Sequence, residues 1–201
     1  LEILENVGLL VRSEKARVHF EVHGCKVDSE TQFVKFPPAV VEKYRAMLPR
    51  SFTFRGRDPR FDRTIPEDGP ILVTGSSAPD IIDPATGRCR RARSDDVARI
   101  AHLINELPAY DVFSISTLAD DAPPGQFTLA RLYPALKYCL KPIRSTTKDM
   151  EDAEAVMRLL YTIAGSEAAY MERPFVTHHY CPLVSPLTMD HLSTEAIIYF
   201  S

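Results

Sequence analysis

Apolar positions in the first third of the chain predict a small α+β segment. Residues 1–11 carry apolar side chains at the spacing of an amphipathic helix. Ser13 is a preferred N-cap residue, so we predict a second helix over residues 14–23. Residues 24–38 place turn residues between short apolar runs, which favours a β-hairpin. With a further helix and a short strand, these elements make up a predicted N-terminal preface, residues 1–68.

The pattern changes near residue 71, where short apolar strands begin to alternate with amphipathic helices. The strands start near residues 71, 111, 140 and 174. The helices between them are predicted over residues 95–107, 127–138 and 149–164. The last two intervals are about 29 and about 34 residues, the length of one βα unit, and the first is longer because a hairpin arm is inserted at residues 78–92. Three consecutive strand–helix–strand crossovers predict a parallel sheet.

This repeat favours a partial TIM barrel over a doubly wound sheet. No GxGxxG or GxxxxGK(S/T) motif follows any strand, so the sequence does not indicate nucleotide binding. Half of a (β/α)8 barrel needs about 125 residues, which is close to the length of residues 69–201. Both ends of the chain interrupt apolar patterns, so we expect a piece of a longer protein. The predicted fold is therefore α/β: about four βα units of a (β/α)8 barrel, truncated at the C-terminus, behind the preface.

Composition argues against several classes of protein. The chain is 45% hydrophobic and 25% charged, which is typical of a folded domain. A net charge of −3 with interspersed signs argues against a nucleic-acid partner. No apolar run reaches about 18 residues and no signal peptide is visible, so we expect a cytoplasmic protein without a membrane partner. The four cysteines form no CxxC pair, which is typical of reduced thiols.

Three short motifs, in their order and spacing, resemble one known family. They are GRDP at residues 56–59, the arm with the pattern AP…D..TG..R.A at residues 78–92, and RPFVTHHYCPLVSPL at residues 173–187. The set resembles the trimethylamine:corrinoid methyltransferase family, which includes glycine betaine methyltransferases. The resemblance covers essentially the whole chain.

The resemblance implies a TIM barrel that moves a methyl group from a methylated amine, trimethylamine or a quaternary amine such as glycine betaine, to the cobalt of a cognate corrinoid protein. It implies that this partner carries the corrinoid (cobalamin), with none bound tightly here, and that the full-length protein is a homo-oligomer. Members acting on trimethylamine carry pyrrolysine in the half that we expect to be missing, so this piece alone is expected to be inactive. Where the family's first strand usually ends in glycines, this chain has Gly75-Ser76-Ser77, and we expect a narrower barrel mouth.

The implied chemistry places binding groups at the carboxyl ends of the barrel strands. Cob(I)alamin supplies the nucleophile, so the protein orients the amine and stabilises its charge, and no residue is assigned a catalytic role. The predicted substrate-binding residues are Gly75, Ser76, Asp120, Thr146, His179 and Tyr180. Asp120 would steer a cationic substrate, or would be a solvated loop residue or a helix cap. Thr146 would donate to a substrate carboxylate, or would cap the helix that begins at Asp149.

Alternatives stay open for the histidines and for the function. Along a strand, His178 and Tyr180 share one face while His179 and Cys181 share the other, so only one pair can point into the barrel. His179 and Cys181 are spaced to offer two zinc ligands, yet no metal site is predicted, and either histidine is also compatible with an ordinary strand residue. A non-catalytic half-barrel remnant, or a module that docks a corrinoid protein, is the alternative to a corrinoid-dependent methyltransferase. A zinc-dependent methyltransferase that uses His179 and Cys181 is a third hypothesis.

Overall fold

A computed structural model describes residues 1–75 and 77–200, which fold into two compact units. The first unit contains Leu1–Arg50, Lys148–Met150 and the chain from Tyr180 onward; the second contains Ser51–Thr147 and Glu151–His179. The predicted site residue Ser76 lies outside the described residues. The predicted division into residues 1–68 and 69–201 stays a prediction.

Helices and strands alternate along most of the chain, which confirms the predicted α/β class. The strands are β1 (Leu9–Val11), β2 (Lys26–Val27), β3 (Phe33–Lys35), β4 (Phe52–Phe54), β5 (Arg63–Ile65), β6 (Asp80–Ile82), β7 (Cys89–Arg91), β8 (Phe113–Ser114), β9 (Ile143–Ser145), β10 (Val176–His178), β11 (Leu183–Val184) and β12 (Thr188–Met189). The helices are α1 (Glu14–Val22), α2 (Pro38–Met47), α3 (Ser94–Glu106), α4 (Phe127–Tyr138), α5 (Met150–Ala164), α6 (Glu167–Glu172) and α7 (His191–Phe200), with a π-helix at Ile3–Val7 and a 3-10 helix at Pro59–Phe61. Among the described residues no sheet closes into a barrel. No helix of the same residues has the length and apolar character needed to cross a membrane.

The first unit is built on a five-stranded sheet of order β11-β12-β1-β3-β2. β1 and β12 pair in parallel, and the antiparallel pair β2–β3 confirms the predicted hairpin. Five buried apolar side chains form the core of this unit: Leu9, Val11, Ala16, Cys25 and Val34. The sheet therefore joins strands from both ends of the chain around one small core.

The start of the chain departs from the helix predicted over residues 1–11. The π-helix ends at Gly8, and β1 follows directly. Gly8 has a φ of 84°, and a Cβ at this position would collide with the backbone carbonyl of Val34. Glycine alone satisfies both conditions, so the chain turns from helix to strand here and places Leu9 and Val11 in the core. The prediction was wrong because apolar residues two apart suit a strand as well as a helix end.

Ser13 caps α1 as predicted and also binds the last helix of the first unit. Its hydroxyl accepts from the backbone nitrogen of Ala16 (3.1 Å) and donates to the carboxylate of Glu195. We expect Ser13→Ala to lower the free energy of unfolding of this unit by about 1–2 kcal/mol in urea unfolding. Ser29→Ala, in the exposed hairpin turn, is the control and should cost less than about 0.5 kcal/mol. Equal losses would contradict the capping role.

The second unit contains the parallel sheet predicted from the βα repeat. β8, β9 and β10 pair in parallel and in chain order, with α4 between the first two strands and α5 and α6 between the last two. The first predicted strand is reduced to two single parallel bridges, Val73 to Val112 and Ala78 to Thr117. α4 spans the residues predicted for it.

The two faces of this parallel sheet differ in polarity. Phe113, Ile143 and Val176 form one row across the three strands, and all three are buried. The next row carries polar side chains that are half-buried: Ser114, Arg144 and Thr177. Successive residues of a strand point to opposite faces, so one face of the sheet is covered and the other is polar and partly open.

The inserted arm is the antiparallel hairpin β6–β7, and Arg90 holds it against the start of α3. The Arg90 guanidinium donates to both carboxylate oxygens of Asp96 (2.7 and 2.9 Å) and to Asp83 (2.8 Å). Asp96 is 2% exposed and also accepts from the backbone nitrogen of Arg93, which caps the helix. The arm is therefore a structural hairpin fixed by charge-assisted hydrogen bonds.

Acid should loosen this arm. Hydrogen bonds from Arg90 lower the pKa of Asp83 to about 2 and also lower the pKa of Asp96. A carboxylate whose pKa falls on folding stabilises the protein above its unfolded pKa of about 4, and this stabilisation is lost as the pH falls toward about 2. We expect Arg90→Gln to destabilise the protein at about pH 6, with the difference from the parent shrinking below about pH 4. Urea unfolding across this range tests it.

The control for this experiment is Arg88→Gln, an exposed residue of the same arm. It should leave the unfolding free energy nearly unchanged at every pH, because only the Arg88 backbone bonds to the arm. A loss in Arg90→Gln that stays constant down to about pH 2 would contradict the ion-pair explanation.

Candidate functional site

A polar cavity of about 410 Å³ opens at the carboxyl ends of the parallel strands in the second unit. Its polar lining includes Ser77, Ser114, Ser116, Arg131, Arg144 and Thr146. In parallel α/β sheets, ligands bind at the carboxyl ends of the strands because the loops and helix ends there converge. This cavity is therefore the candidate functional site.

Arg131 shapes the cavity from α4. Its side chain is 6% exposed, and the guanidinium donates to the carbonyls of Thr117 (2.8 Å) and Ile115. Burial lowers the pKa of Arg131, and the nearby Asp152 carboxylate opposes that shift. Arg131 thus fastens the chain that follows β8 to the helix that comes after it.

Arg144 is the second cation of the lining. It lies in β9, with Ser114 and Thr177 as its register partners in the neighbouring strands, and it is half-buried. Within residues 1–75 and 77–200, no carboxylate forms a salt bridge with its guanidinium. The cavity lining holds two arginines and, in the same ranges, no aspartate or glutamate, so its charge favours an anion.

His179 lines the cavity at the end of β10. Its backbone nitrogen donates to the carbonyl of Ser145 (2.8 Å). Burial, together with the positive charge of Arg144, lowers the pKa of His179, so the imidazole is neutral near pH 7. His178 points to the other face of the strand, where burial lowers its pKa to about 4.

Three of the predicted substrate-binding residues line this cavity together: Gly75, Thr146 and His179. Thr146 is exposed, and its hydroxyl makes a long hydrogen bond of 3.4 Å to the next carbonyl along the chain. A Cβ at Gly75 would meet no atom within 4 Å, so a side chain there would enter open space. Their role in substrate binding stays a prediction.

The other predicted residues lie elsewhere. Asp120 is outside the lining of this cavity and pairs with Arg91 of the arm at 3.3 Å. Tyr180 belongs to the first unit, where its ring stacks on Phe200 with 6.0 Å between centroids. Ser76 is not among the described residues. A substrate role for each of these residues also stays a prediction.

The described residues contain no group of three or more His, Cys, Asp and Glu side chains placed to hold a metal ion. His179 belongs to the second unit and Cys181, which is exposed, to the first. The part of the chain that is described therefore supplies no third zinc ligand beside His179 and Cys181.

Sequence reasoning missed the two arginines of the cavity. Arg144 shares a strand face with Thr146, two residues further on, so the predicted role of Thr146 already pointed to it. Arg131 is a charged residue on the buried side of α4, beside Leu132 and Ala135. A buried cation needs hydrogen-bond partners. An arginine among the apolar residues of a helix face is therefore a signal that the sequence itself contains.

Two of the three family motifs meet at the opposite ends of the strands. The Arg173 guanidinium donates to Asp62 (2.6 Å) and to the carbonyl of Gly56 (3.1 Å), and Asp62 also accepts from the Gly56 nitrogen (2.9 Å). A Cβ on Gly56 would lie 2.7 Å from the carbonyl oxygen of Leu140. Leu140 and Arg173 precede β9 and β10, so Gly56 and Arg173 build the amino end of the sheet, whereas His179, later in the same motif as Arg173, lines the cavity.

Comparison with known proteins agrees with the motifs. The family model for trimethylamine methyltransferase (MTTB) matches residues 1–201. The trimethylamine methyltransferase MttB of Desulfitobacterium hafniense is 26% identical over 198 residues, which cover 98% of this chain and 40% of that protein. The MttB of Methanosarcina thermophila is 28% identical over 209 residues, with coverages of 98% and 42%. The L-carnitine:corrinoid methyltransferase of Eubacterium limosum is 26% identical over 151 residues, with coverages of 71% and 29%.

The match to the family model extends over the whole chain, and the resemblance seen in the motifs is confirmed. The chain spans about two fifths of the length of the two MttB relatives. The conclusion from motifs and comparisons is that the chain belongs to the trimethylamine methyltransferase (MTTB) family.

Proposed function

We propose that the protein containing this chain moves a methyl group from a methylated amine to the cobalt of a corrinoid protein. The family match over residues 1–201 carries this proposal. The relatives include methyltransferases named for trimethylamine and for L-carnitine with corrinoid. The chemistry common to those names is the removal of an N-methyl group.

In the proposed reaction, the bond between the methyl carbon and nitrogen breaks and its electron pair stays on nitrogen. The new cobalt–carbon bond uses an electron pair of the Co(I) acceptor, which the corrinoid protein brings as a substrate. A quaternary ammonium leaves as a neutral tertiary amine, so no proton is required. Trimethylamine reacts as the protonated trimethylammonium ion and leaves as neutral dimethylamine, which keeps that proton. The residues of this chain would bind and orient the amine, with Gly75, Thr146 and His179 in contact with it.

We also propose that residues 69–201 form the first half of a (β/α)8 barrel. Each strand of the parallel sheet pairs with the next one along the chain, from Val73 through β8 and β9 to β10. A doubly wound sheet reverses its strand order, whereas a barrel keeps chain order throughout. The cavity at the carboxyl ends of the strands is also where barrel enzymes bind substrates. The cytoplasmic location and the homo-oligomer stay predictions.

The test is a methyl-transfer assay on the protein expressed with whatever residues its gene encodes on either side of this chain. The protein is mixed with a corrinoid protein in the Co(I) state and with trimethylamine, glycine betaine or L-carnitine carrying a deuterated N-methyl group. We expect labelled methyl-cobalt from at least one amine, measured by absorbance and mass spectrometry. A folded protein that transfers no label from any of them would contradict the proposal and favour a docking module, which co-sedimentation with the corrinoid protein would detect.

A further inference from the structure

The described lining of the cavity at the strand ends carries no group suited to the methylated end of an amine. Quaternary ammonium groups bind to aromatic faces and to carboxylates. Among the described residues, the lining contains no phenylalanine, tyrosine, aspartate or glutamate, and it contains Arg131 and Arg144. The lining suits a ligand group of negative charge.

Arg144 is the guanidinium available to such a group. Arg131 donates to two backbone carbonyls. Over residues 1–75 and 77–200, by contrast, the side chain of Arg144 has no hydrogen bond or salt bridge. Arg144 is half-buried, so solvent screens its charge less than that of a surface arginine. A guanidinium also matches the two oxygens of a carboxylate in one plane.

Hydroxyl groups lie beside Arg144 on the neighbouring strand. Ser114 is its register partner in β8, and Ser116 lies two residues further along the same face. Thr74 uses its hydroxyl for two bonds to the Ser114 backbone, but the hydroxyls of Ser114 and Ser116 have no protein partner in the described chain. Two hydroxyl donors and a guanidinium can satisfy the lone pairs of one carboxylate.

We propose that this cavity binds the carboxylate of a zwitterionic methylated amine, with Arg144 as the residue that selects for it. The inference rests on the proposed function for the methylated end of the substrate, because the cavity identifies only the anionic end. Trimethylamine has no anionic group and gains nothing from Arg144. Glycine betaine and L-carnitine each carry a carboxylate that Arg144 can bind.

Isothermal titration calorimetry on the same full protein, without a corrinoid protein, tests the inference. The probes are glycine betaine, choline and inorganic phosphate; choline has the same trimethylammonium group with a hydroxyl in place of the carboxylate. We expect glycine betaine to bind at least about tenfold more tightly than choline. Arg144→Gln should abolish this difference and Arg144→Lys should retain part of it. Arg158→Gln, an exposed cation on α5 whose side chain is 69% exposed, should change neither affinity.

Three results would overturn the inference. They are equal affinities for glycine betaine and choline in the parent, an unchanged glycine betaine affinity in Arg144→Gln, and phosphate that displaces glycine betaine and binds more tightly. The last result would assign the cavity to a phosphate group. If Arg144→Gln does not fold, Arg144→Lys and Ser116→Ala provide the comparison, and both should weaken glycine betaine without weakening choline.

The two proposals fail separately. If glycine betaine binding depends on Arg144 but no amine gives methyl transfer, the anion site is supported and the proposed function is wrong. If Arg144→Gln leaves methyl transfer from trimethylamine unchanged and the protein does not prefer glycine betaine over choline, the proposed function is supported and the anion site is wrong.

Discussion

Replacing Arg131 by leucine should lower the free energy of unfolding of the second unit by about 3 kcal/mol. The side chain is 6% exposed, and its guanidinium donates to the carbonyls of Thr117 and Ile115. Leucine would leave both carbonyls without this donor, at roughly 1–3 kcal/mol each, and its own burial would regain part of that loss. Urea unfolding measures the total, and hydrogen exchange should locate the loss in β8 and α4.

Arg158→Leu is the control for this substitution. Its side chain is 69% exposed and forms one salt bridge to Glu154 on the same helix. Loss of this exposed salt bridge should therefore lower the free energy of unfolding by less than about 0.5 kcal/mol. Arg131→Lys should recover part of the stability, because an ammonium can still donate to a carbonyl. If Arg131→Leu cost no more than Arg158→Leu, the two carbonyls would have other donors, and the anchoring role of Arg131 would be wrong.

Breaking the pair between Asp62 and Arg173 should lower the free energy of unfolding of the second unit by about 2 kcal/mol. The two side chains are 24% and 29% exposed, so the effect should fall between that of a surface pair and that of a buried one. Asp62 also accepts from the backbone of Gly56, and Arg173 donates to the carbonyl of the same residue. Arg173→Met therefore removes the hydrogen bonds that connect two segments far apart in sequence.

A double-mutant cycle with Arg173→Met and Asp62→Asn should give a coupling energy of about 1–2 kcal/mol. The control cycle uses Arg60 and Asp58, whose side chains are 71% and 30% exposed, and its coupling should be close to zero. Ligand affinity should not change in either cycle, because the Asp62 pair lies at the amino ends of the strands. Equal coupling in the two cycles would contradict the structural role of the motifs.

Much of the order of helices and strands could be predicted from the sequence because it depends on local patterns, although β1, α6 and the β11–β12 pair were not predicted. α4 has the predicted bounds, since its apolar period and flanking turn residues lie within the helix itself. Ser13 caps α1 through an atom three residues away. Alternation of strand and helix then indicated a parallel sheet in chain order, and motif order indicated the family.

The identity of the residues that meet in the cavity was decided by the tertiary structure. Arg144 and Ser114 are far apart in sequence and become neighbours only through the register of β8 and β9. A period of two shows which side chains of a strand share a face, but not which face the helices cover. Packing made that choice: it buried Phe113, turned Arg144 toward the cavity, and gave Arg131 the carbonyls of Ile115 and Thr117 as partners, which the sequence of α4 does not identify.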